Sequence, residues 1–434
     1  MSEEVVSQPL EHTAALVALA CLPGVGPGSL RRWVQAQNAT EAWELASSGR
    51  ASKDEVLALS LQRNLTTNHK ITEAARHIDP LALLERHRTL GIGVHILGTA
   101  GYPQRLAHDP SPPAVLFSNG DISALDAPMV AIVGTRNATR LGCDTAARLA
   151  GELSMAGVSV ASGLALGIDG AAHSALVWAN ANGQPPAAPP SAPHDGQLGN
   201  GVDEGSDGGP GGGLASGIGR PVAVVAAGLD CRYPRAHRRL HDQIVERGVV
   251  LSEVPLGMGP SKWRFPARNR ILAGLADALV VVESRSSGGS MLTVAEALRR
   301  DRPILAVPGH PTSPSSAGTL DLICDGATPL RDVEDVLVAI GMGGSSSRPL
   351  HERSSSDGED LLGESQDEVA SELLGVLAAG ALTLSEVLSR VDSDRGLVAQ
   401  ALLELELSGK IVATGSWYEL STGAARASSR GARR

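Results

Sequence analysis

Met129-Val-Ala-Ile-Val-Gly-Thr-Arg136 is an apolar run of five residues that ends in a glycine turn carrying a cation. A short run without polar alternation reads as a strand buried on both faces. The residues that follow support this. Cys143 to Met155 has apolar residues at helical spacing, and Val158-Ser-Val-Ala161 is the next apolar run. Pro221-Val-Ala-Val-Val-Ala226, Gly248-Val-Val-Leu251, Ala278-Leu-Val-Val-Val282 and Pro303-Ile-Leu-Ala-Val307 continue the series, with helix-like segments between them. Apolar strands alternating with helices predict a doubly wound α/β domain, its mostly parallel sheet covered on both faces. Upstream, Gly93-Val-His-Ile-Leu97, Tyr102-Pro103 and Pro112-Pro-Ala-Val-Leu-Phe117 read as short strands leading into that sheet.

The flanks differ from this core, which is expected over residues 91–340. Residues 1–90 read as a small helical domain, with an apolar helix from His12 to Cys21, the turn Leu22-Pro-Gly-Val-Gly-Pro-Gly-Ser-Leu30 and a second helix through Trp33. The turn suits either a helix-hairpin-helix whose glycines let amides approach a phosphate, or a plain connection between two helices. Between residues 179 and 219 the alternation is broken by a Gly-, Pro-, Ala- and Ser-rich stretch with little to bury, expected to be a disordered insertion. A Ser-, Gly- and acid-rich linker is expected at 341–366. Beyond it, residues 367–422 read as three helices and a hairpin, the pattern of a winged-helix domain, and 423–434 as a basic tail. The third helix, Leu397–Leu407, carries Gln400, Glu404 and Glu406 and no cation, which favours protein interaction over contact with phosphate.

The chain has 434 residues and a net charge of -10, which excludes a generally basic nucleic-acid coat and confines any anion site to a local patch. Such a patch exists: Arg220 to Arg302 holds fourteen Lys/Arg against eight Asp/Glu. Within it, Ser261-Lys-Trp-Arg-Phe-Pro-Ala-Arg-Asn-Arg-Ile271 places four cations and two of the chain's ten aromatic residues side by side, and Tyr233 lies in the same window. Cations that track phosphates and rings that stack on unpaired bases suit single-stranded nucleic acid. Cys21, Cys143, Cys231 and Cys324 are scattered with no CxxC pair, as expected of reduced thiols in a cytoplasmic protein. The acidic start Met-Ser-Glu-Glu lacks a signal-peptide pattern and no apolar run is long enough to span a bilayer, so no membrane association is expected.

In open parallel sheets ligands bind at the carboxyl ends of the strands. Gly134-Thr-Arg136, Ser162-Gly-Leu-Ala-Leu-Gly-Ile-Asp169, Gly228-Leu-Asp230, Ser252-Glu253, Ser284-Arg-Ser-Ser-Gly-Gly-Ser290 and Pro308-Gly-His310 all fall there. Gly288, Gly289 and Ser290 precede a helix, so their amides and the helix dipole favour a phosphate. Gly134-Thr-Arg is not GxGxxG, which argues against a dinucleotide cofactor. Asp169 and His173, four residues apart, read more readily as a buried histidine anchored by a carboxylate than as an acid/base pair. No nucleophile elbow, zinc motif or Walker loop is present in the sequence, so an enzyme is not demanded and no cofactor or metal is expected.

Taken in order, Ile132-Val-Gly-Thr-Arg136, Ser162 to Asp169 with Ala172-His173, Gly228-Leu-Asp230 with Tyr233-Pro234, Leu251-Ser-Glu253, Phe265-Pro-Ala-Arg-Asn-Arg-Ile271, Ser287-Gly-Gly-Ser290 and Val307-Pro-Gly309 resemble the DNA-processing protein A (DprA/Smf) family over about residues 93–335. The resemblance implies an extended Rossmann-like domain that binds single-stranded DNA, delivers it to the RecA recombinase during natural transformation, and forms a homodimer. Carried over to this chain, it makes Arg136, Lys262 and Phe265 the main DNA contacts. Arg268, Asn269 and Arg270 would shape the same pocket, while Gly134, Ser162, Gly163, Gly288, Gly289 and Ser290 would offer backbone. Asn269 and Arg270 suit internal support equally well. Where the family reads Gly-Thr/Ser-Asn, this chain has Gly318-Thr-Leu-Asp321, which places an acid where an amide is usual. An alternative is an enzyme: Gly288-Gly-Ser-Met-Leu-Thr-Val-Ala-Glu296 is similar to the PGGxGTxxE loop of lysine-decarboxylase-like phosphoribohydrolases, which act on nucleoside monophosphates. Its spacing is one residue longer and the leading proline is missing.

Overall fold

The structure is a computed structural model that describes residues 10–63, 68–182 and 217–343, together with parts of 369–420. Most of the expected insertion, most of the linker and the basic tail lie outside the described residues. The chain forms two compact units, Met1–Ser345 and Ser346–Arg434.

The larger unit is built on a nine-stranded mixed sheet. Its strands are β1 (Gly93–Ile96), β2 (Val115–Gly120), β3 (Met129–Val133), β4 (Ser159–Ser162), β5 (Pro221–Val225), β6 (Val249–Ser252), β7 (Ala278–Val281), β8 (Ile304–Ala306) and β9 (Thr328–Pro329). They lie in the order β1-β2-β6-β5-β4-β3-β7-β8-β9. From β6 to β9 every neighbouring pair is parallel, whereas β1 and β2 form an antiparallel edge, with β2 antiparallel to β6. The apolar runs are therefore the strands the sequence predicts, in a Rossmann-like α/β fold. Tyr102-Pro103 is the exception. Its ring is buried, its hydroxyl donates to Pro113 O at 2.7 Å, and a helical turn, Gln104–Ala107, starts immediately after it.

Period-two packing explains why these strands carry no polar face. Val130 and Ile132 of β3 join one hydrophobic cluster with the helices Arg140–Met155 and Ile168–Asn182, while Met129, Ala131 and Val133 enter another under the helix Arg264–Leu275. Each of the larger side chains removed from water in this way contributes roughly 1.5–3 kcal/mol.

The N-terminal helices share a core with the β1, β2, β5 and β6 part of the sheet, as Leu16, Leu19, Trp33 and Ile71 cluster with Phe117, Val225 and Val250. Trp33 is fully buried, and its indole donates to Asp54, whose carboxylate also accepts from Leu57 N at 2.8 Å. His87 stacks on Phe117 with ring centroids 4.9 Å apart, and Arg31 donates to Ser111 Oγ at 3.0 Å. The turn after the first helix faces inward, so that Val25, Gly26, Pro27 and Leu30 line a cleft opposite Met258, Trp263, Arg264 and Ala267.

In the smaller unit Val398, Ala401, Leu402 and Leu405, at helical i, i+3, i+4, i+7 spacing, bury one stripe of the helix Arg395–Leu407 against Val369, Leu373, Leu377 and Ile411. That helix begins at Arg395, so it includes a cation that the shorter sequence reading left out. Leu382–Thr383, Trp417–Leu420 and Ile411–Thr414 form a three-stranded antiparallel sheet in that order. Among the described residues no helix is long and apolar enough to cross a membrane.

Candidate nucleic-acid interface

Because β3 to β8 run parallel, the loops that follow them emerge at one edge. Strand order reverses beside β3: the chain proceeds outward through β4, β5 and β6, then returns to place β7 on the other side of β3. This switch point is where such sheets usually take a nucleotide. Here Glu283, at the end of β7, occupies it. Its Oε2 accepts from Thr139 N at 2.9 Å and its Oε1 from Thr139 Oγ1 at 2.5 Å, at the N-terminus of the sixteen-residue helix Arg140–Met155. No acidic residue lies in that helix's own first turn, so Glu283 supplies the negative end of the dipole pairing from another strand. A Cβ on Gly142 would come within 2.5 Å of the Glu283 carboxylate, which is why glycine stands there. Glu283→Ala is expected to lower stability by about 1–2 kcal/mol, read as a shifted denaturant midpoint. An unchanged midpoint would show that the contact contributes nothing.

The cationic aromatic segment forms the start of the helix Arg264–Leu275. Lys262 is exposed and Trp263 is 56% exposed with the Arg264 guanidinium 5.2 Å from its ring centroid. Phe265 is half-buried. The exposed Arg136, from the turn after β3, places its guanidinium carbon 5.1 Å from the Phe265 ring centroid, and Tyr233 approaches the same ring at 6.0 Å with a 53° tilt. Three stretches far apart in sequence thus meet at Phe265.

Arg268, Asn269 and Arg270, expected to shape the pocket, turn inward. Their partners, carbonyls of the loop after β4, of β5 and of Ser111 and the Glu253 carboxylate, draw these side chains away from solvent. Arg268 donates to Gly163 O at 2.8 Å and to Val224 O, and its Nε to Asn269 Oδ1 at 3.2 Å. Burial draws its pKa down to about 10, with the buried Asp169 opposing the shift. Arg270 pairs with Glu253 and donates to Ser111 O, in a site where both side chains are nearly enclosed. These groups support the edge and do not face solvent.

The expected backbone donors are partly engaged within the protein. Gly163 N donates to Asp169 Oδ2 at 3.1 Å, and a Cβ at Gly163 would meet the Arg268 guanidinium at 2.5 Å. Asp169 therefore caps this loop, and no hydrogen bond joins it to His173 among the described residues. The hydroxyl of Ser162 donates to Ile132 O at 2.7 Å. Gly134 is wedged between Ile168 and Glu283 O, either of which an added Cβ would strike. In the loop after β7, Gly288 N donates to Arg285 O and Ser290 Oγ to Ser284 Oγ, while Gly289 has open space around it. Gly318-Thr-Leu-Asp321, read as a turn, lies in the helix Ala317–Cys324, and Gly318 N donates to Ser284 O at 2.8 Å, which ties that helix to the loop. Glu296, the acid of the enzyme alternative, pairs with Arg299 and Arg300, and Arg300 holds the buried Asp109.

Two contributors to this edge stand outside the expected set. Tyr233 was legible only as one aromatic in a basic window. Glu283 gives no sequence signal, because its partner Thr139 lies 144 positions away.

A mostly parallel sheet flanked by helices on both faces, with cations and rings gathered at its carboxyl edge, defines a Rossmann-like α/β protein. The chain belongs to the DNA recombination-mediator protein A family, whose family model matches residues 94–184 and 209–341. The gap in that match falls within the expected insertion. DNA processing protein DprA of Bacillus subtilis is 32% identical over 255 residues, 58% of this chain and 73% of its own length. Protein Smf of Synechocystis is 30% identical over 334 residues, 75% of this chain and 72% of its own length. The X-ray structure of DNA processing protein A from Streptococcus pneumoniae superposes with a TM-score of 0.54 at 26% identity, covering 76% of this chain and 98% of that one.

Proposed function

We propose that the chain binds single-stranded DNA at the edge formed by Arg136, Lys262 and Phe265, and acts as a binding protein in DNA recombination and transformation. The observation that carries this reading is the Phe265 ring, held at the surface by Arg136 on one element and Tyr233 on another. An unpaired base stacks on such a ring without regard to sequence, at about 1–3 kcal/mol per base, while Arg136 and Lys262 neutralise its phosphates. The duplex form hides its base faces and gains only the electrostatic part. Family membership supports a hand-over of the bound strand to a RecA-type recombinase, and our reading includes a homodimer and a winged-helix module in the smaller unit. The ion pairs of Glu296 with Arg299 and Arg300 argue against the phosphoribohydrolase alternative.

The test is a titration of an unstructured oligonucleotide at moderate salt. Arg136→Ala, Lys262→Ala and Phe265→Ala combined are expected to weaken binding about 100-fold or more, from one lost stack and two lost phosphate contacts. Equal affinity of the triple variant and the parent protein would refute the site. Gel shifts comparing single-stranded with duplex DNA, with and without RecA, test the wider role.

A further inference from the structure

We infer that the N-terminal helices serve the nucleic-acid site without touching DNA: through His87 and Leu256 they hold the loop after β6, which leads into Lys262 and Phe265. His87 and Leu256 are on this account positioning residues. The inference rests on the reading just proposed and extends it to the opposite side of that loop. Leu256 precedes Lys262 by six positions and is 5% exposed, in the same hydrophobic cluster as Leu16, Leu19 and Trp33. Its backbone N donates to His87 Nε2 at 3.5 Å. The His87 ring is fully buried and stacked on Phe117, with Nδ1 2.8 Å from Leu83 O. Burial lowers the His87 pKa, so the ring is neutral near pH 7. Its proton then lies on Nδ1, toward Leu83 O, and Nε2 is left as the acceptor that Leu256 N needs.

Beyond Leu256 the loop is fastened residue by residue. Gly257 turns the chain at a φ of 80°, and its N donates to both oxygens of Asp230 at 3.0 Å. Asp230 lies in turn 3.8 Å from Arg86, the neighbour of His87, so the same helix reaches the loop twice. Gly228 N donates to Met258 O at 2.8 Å, and a Cβ on Gly228 would come within 2.5 Å of Pro255 O. Arg264 donates to Gly259 O and to Met258 Sδ, the latter at 3.6 Å. Pro260 restricts the next φ, and Arg264 N donates to Ser261 O at 3.0 Å as the helix Arg264–Leu275 begins. Backbone restrained at every step carries the placement of Leu256 through to Lys262 and Phe265. Once Leu256 is released, DNA has to order that stretch on binding, and affinity falls.

The experiment titrates an oligothymidylate of about twenty nucleotides at pH 7.5 and moderate salt. His87→Phe keeps a ring against Phe117 and removes the acceptor, whereas His87→Gln supplies an amide oxygen near the Nε2 position. Leu256→Ala removes the apolar anchor and Leu256→Met restores its bulk. His87→Phe and Leu256→Ala are each expected to weaken binding about fivefold or more, while His87→Gln and Leu256→Met stay within about twofold of the parent protein. The slope of log affinity against log salt is expected to keep its parent value in all four, because no phosphate contact is lost. The two sites are independent routes to the same loop, so either reads the result if the other fails to fold. Parent affinity in the folded His87→Phe or Leu256→Ala protein would overturn the inference, and so would a loss in His87→Phe that His87→Gln does not recover. Failure of the underlying reading shows separately, as equal affinity of the parent protein and the Arg136, Lys262 and Phe265 triple variant.

Discussion

Arg268→Ala is expected to lower the stability of the larger unit by about 3–5 kcal/mol, measured by denaturant unfolding, because it removes a buried guanidinium that bonds two carbonyls and lies in the field of the buried Asp169. The guanidinium ties the loop after β4 to the end of β5 through Gly163 O and Val224 O, and it offsets the buried charge of Asp169. Truncation leaves both carbonyls without that donor and Asp169 without its cation. Arg268→Lys is expected to recover less than half of the loss, since a single ammonium cannot fork to two carbonyls and the Asn269 side chain together. Where Arg268→Ala remains folded, its affinity for single-stranded DNA should keep the parent salt dependence, because the group faces inward. A salt slope reduced by about 0.7 with unaltered stability would instead make Arg268 a phosphate contact.

That outcome bears on what the sequence could reveal. The strands were legible because a strand buried on both faces has a distinctive run, as in Met129–Val133, and because parallel neighbours share one carboxyl edge. Arg136 and Phe265 were legible as chemistry, a cation at a strand end and a ring in a basic run. Their meeting at 5.1 Å was not, since it depends on the packing of the Arg264–Leu275 helix across the sheet. The motif Phe265-Pro-Ala-Arg-Asn-Arg-Ile271 shows three cationic or polar residues in a row, and their inward turn is set by partners far away in sequence, Gly163, Val224, Glu253 and Ser111. Glu283 was invisible for another reason: a carboxylate that caps a helix from a distant strand leaves no local pattern, whereas an acid in the first turn would have.

Acidification is the second strong effect. His12, His87, His95, His173 and His241 all have pKa values lowered by burial, and His173, fully enclosed beneath the loop after β4, is driven down to about 3. In the unfolded chain each titrates near 6.5. The folded state therefore binds fewer protons than the unfolded one, so stability is full above about pH 6.5 and is lost as pH falls through the window down to each folded pKa. For His173 alone the loss between pH 7.5 and pH 5 is about 2 kcal/mol, and the other four add in the same direction over narrower windows. The denaturant midpoint is expected to fall between those two pH values, before most carboxylates protonate. His173→Gln should flatten the fall by about the same 2 kcal/mol, even if it is less stable at every pH, because the slope depends only on the titrating group. A midpoint that does not move between pH 7.5 and pH 5 would mean that these histidines gain protons in the folded state, and that the full burial of His173 is wrong.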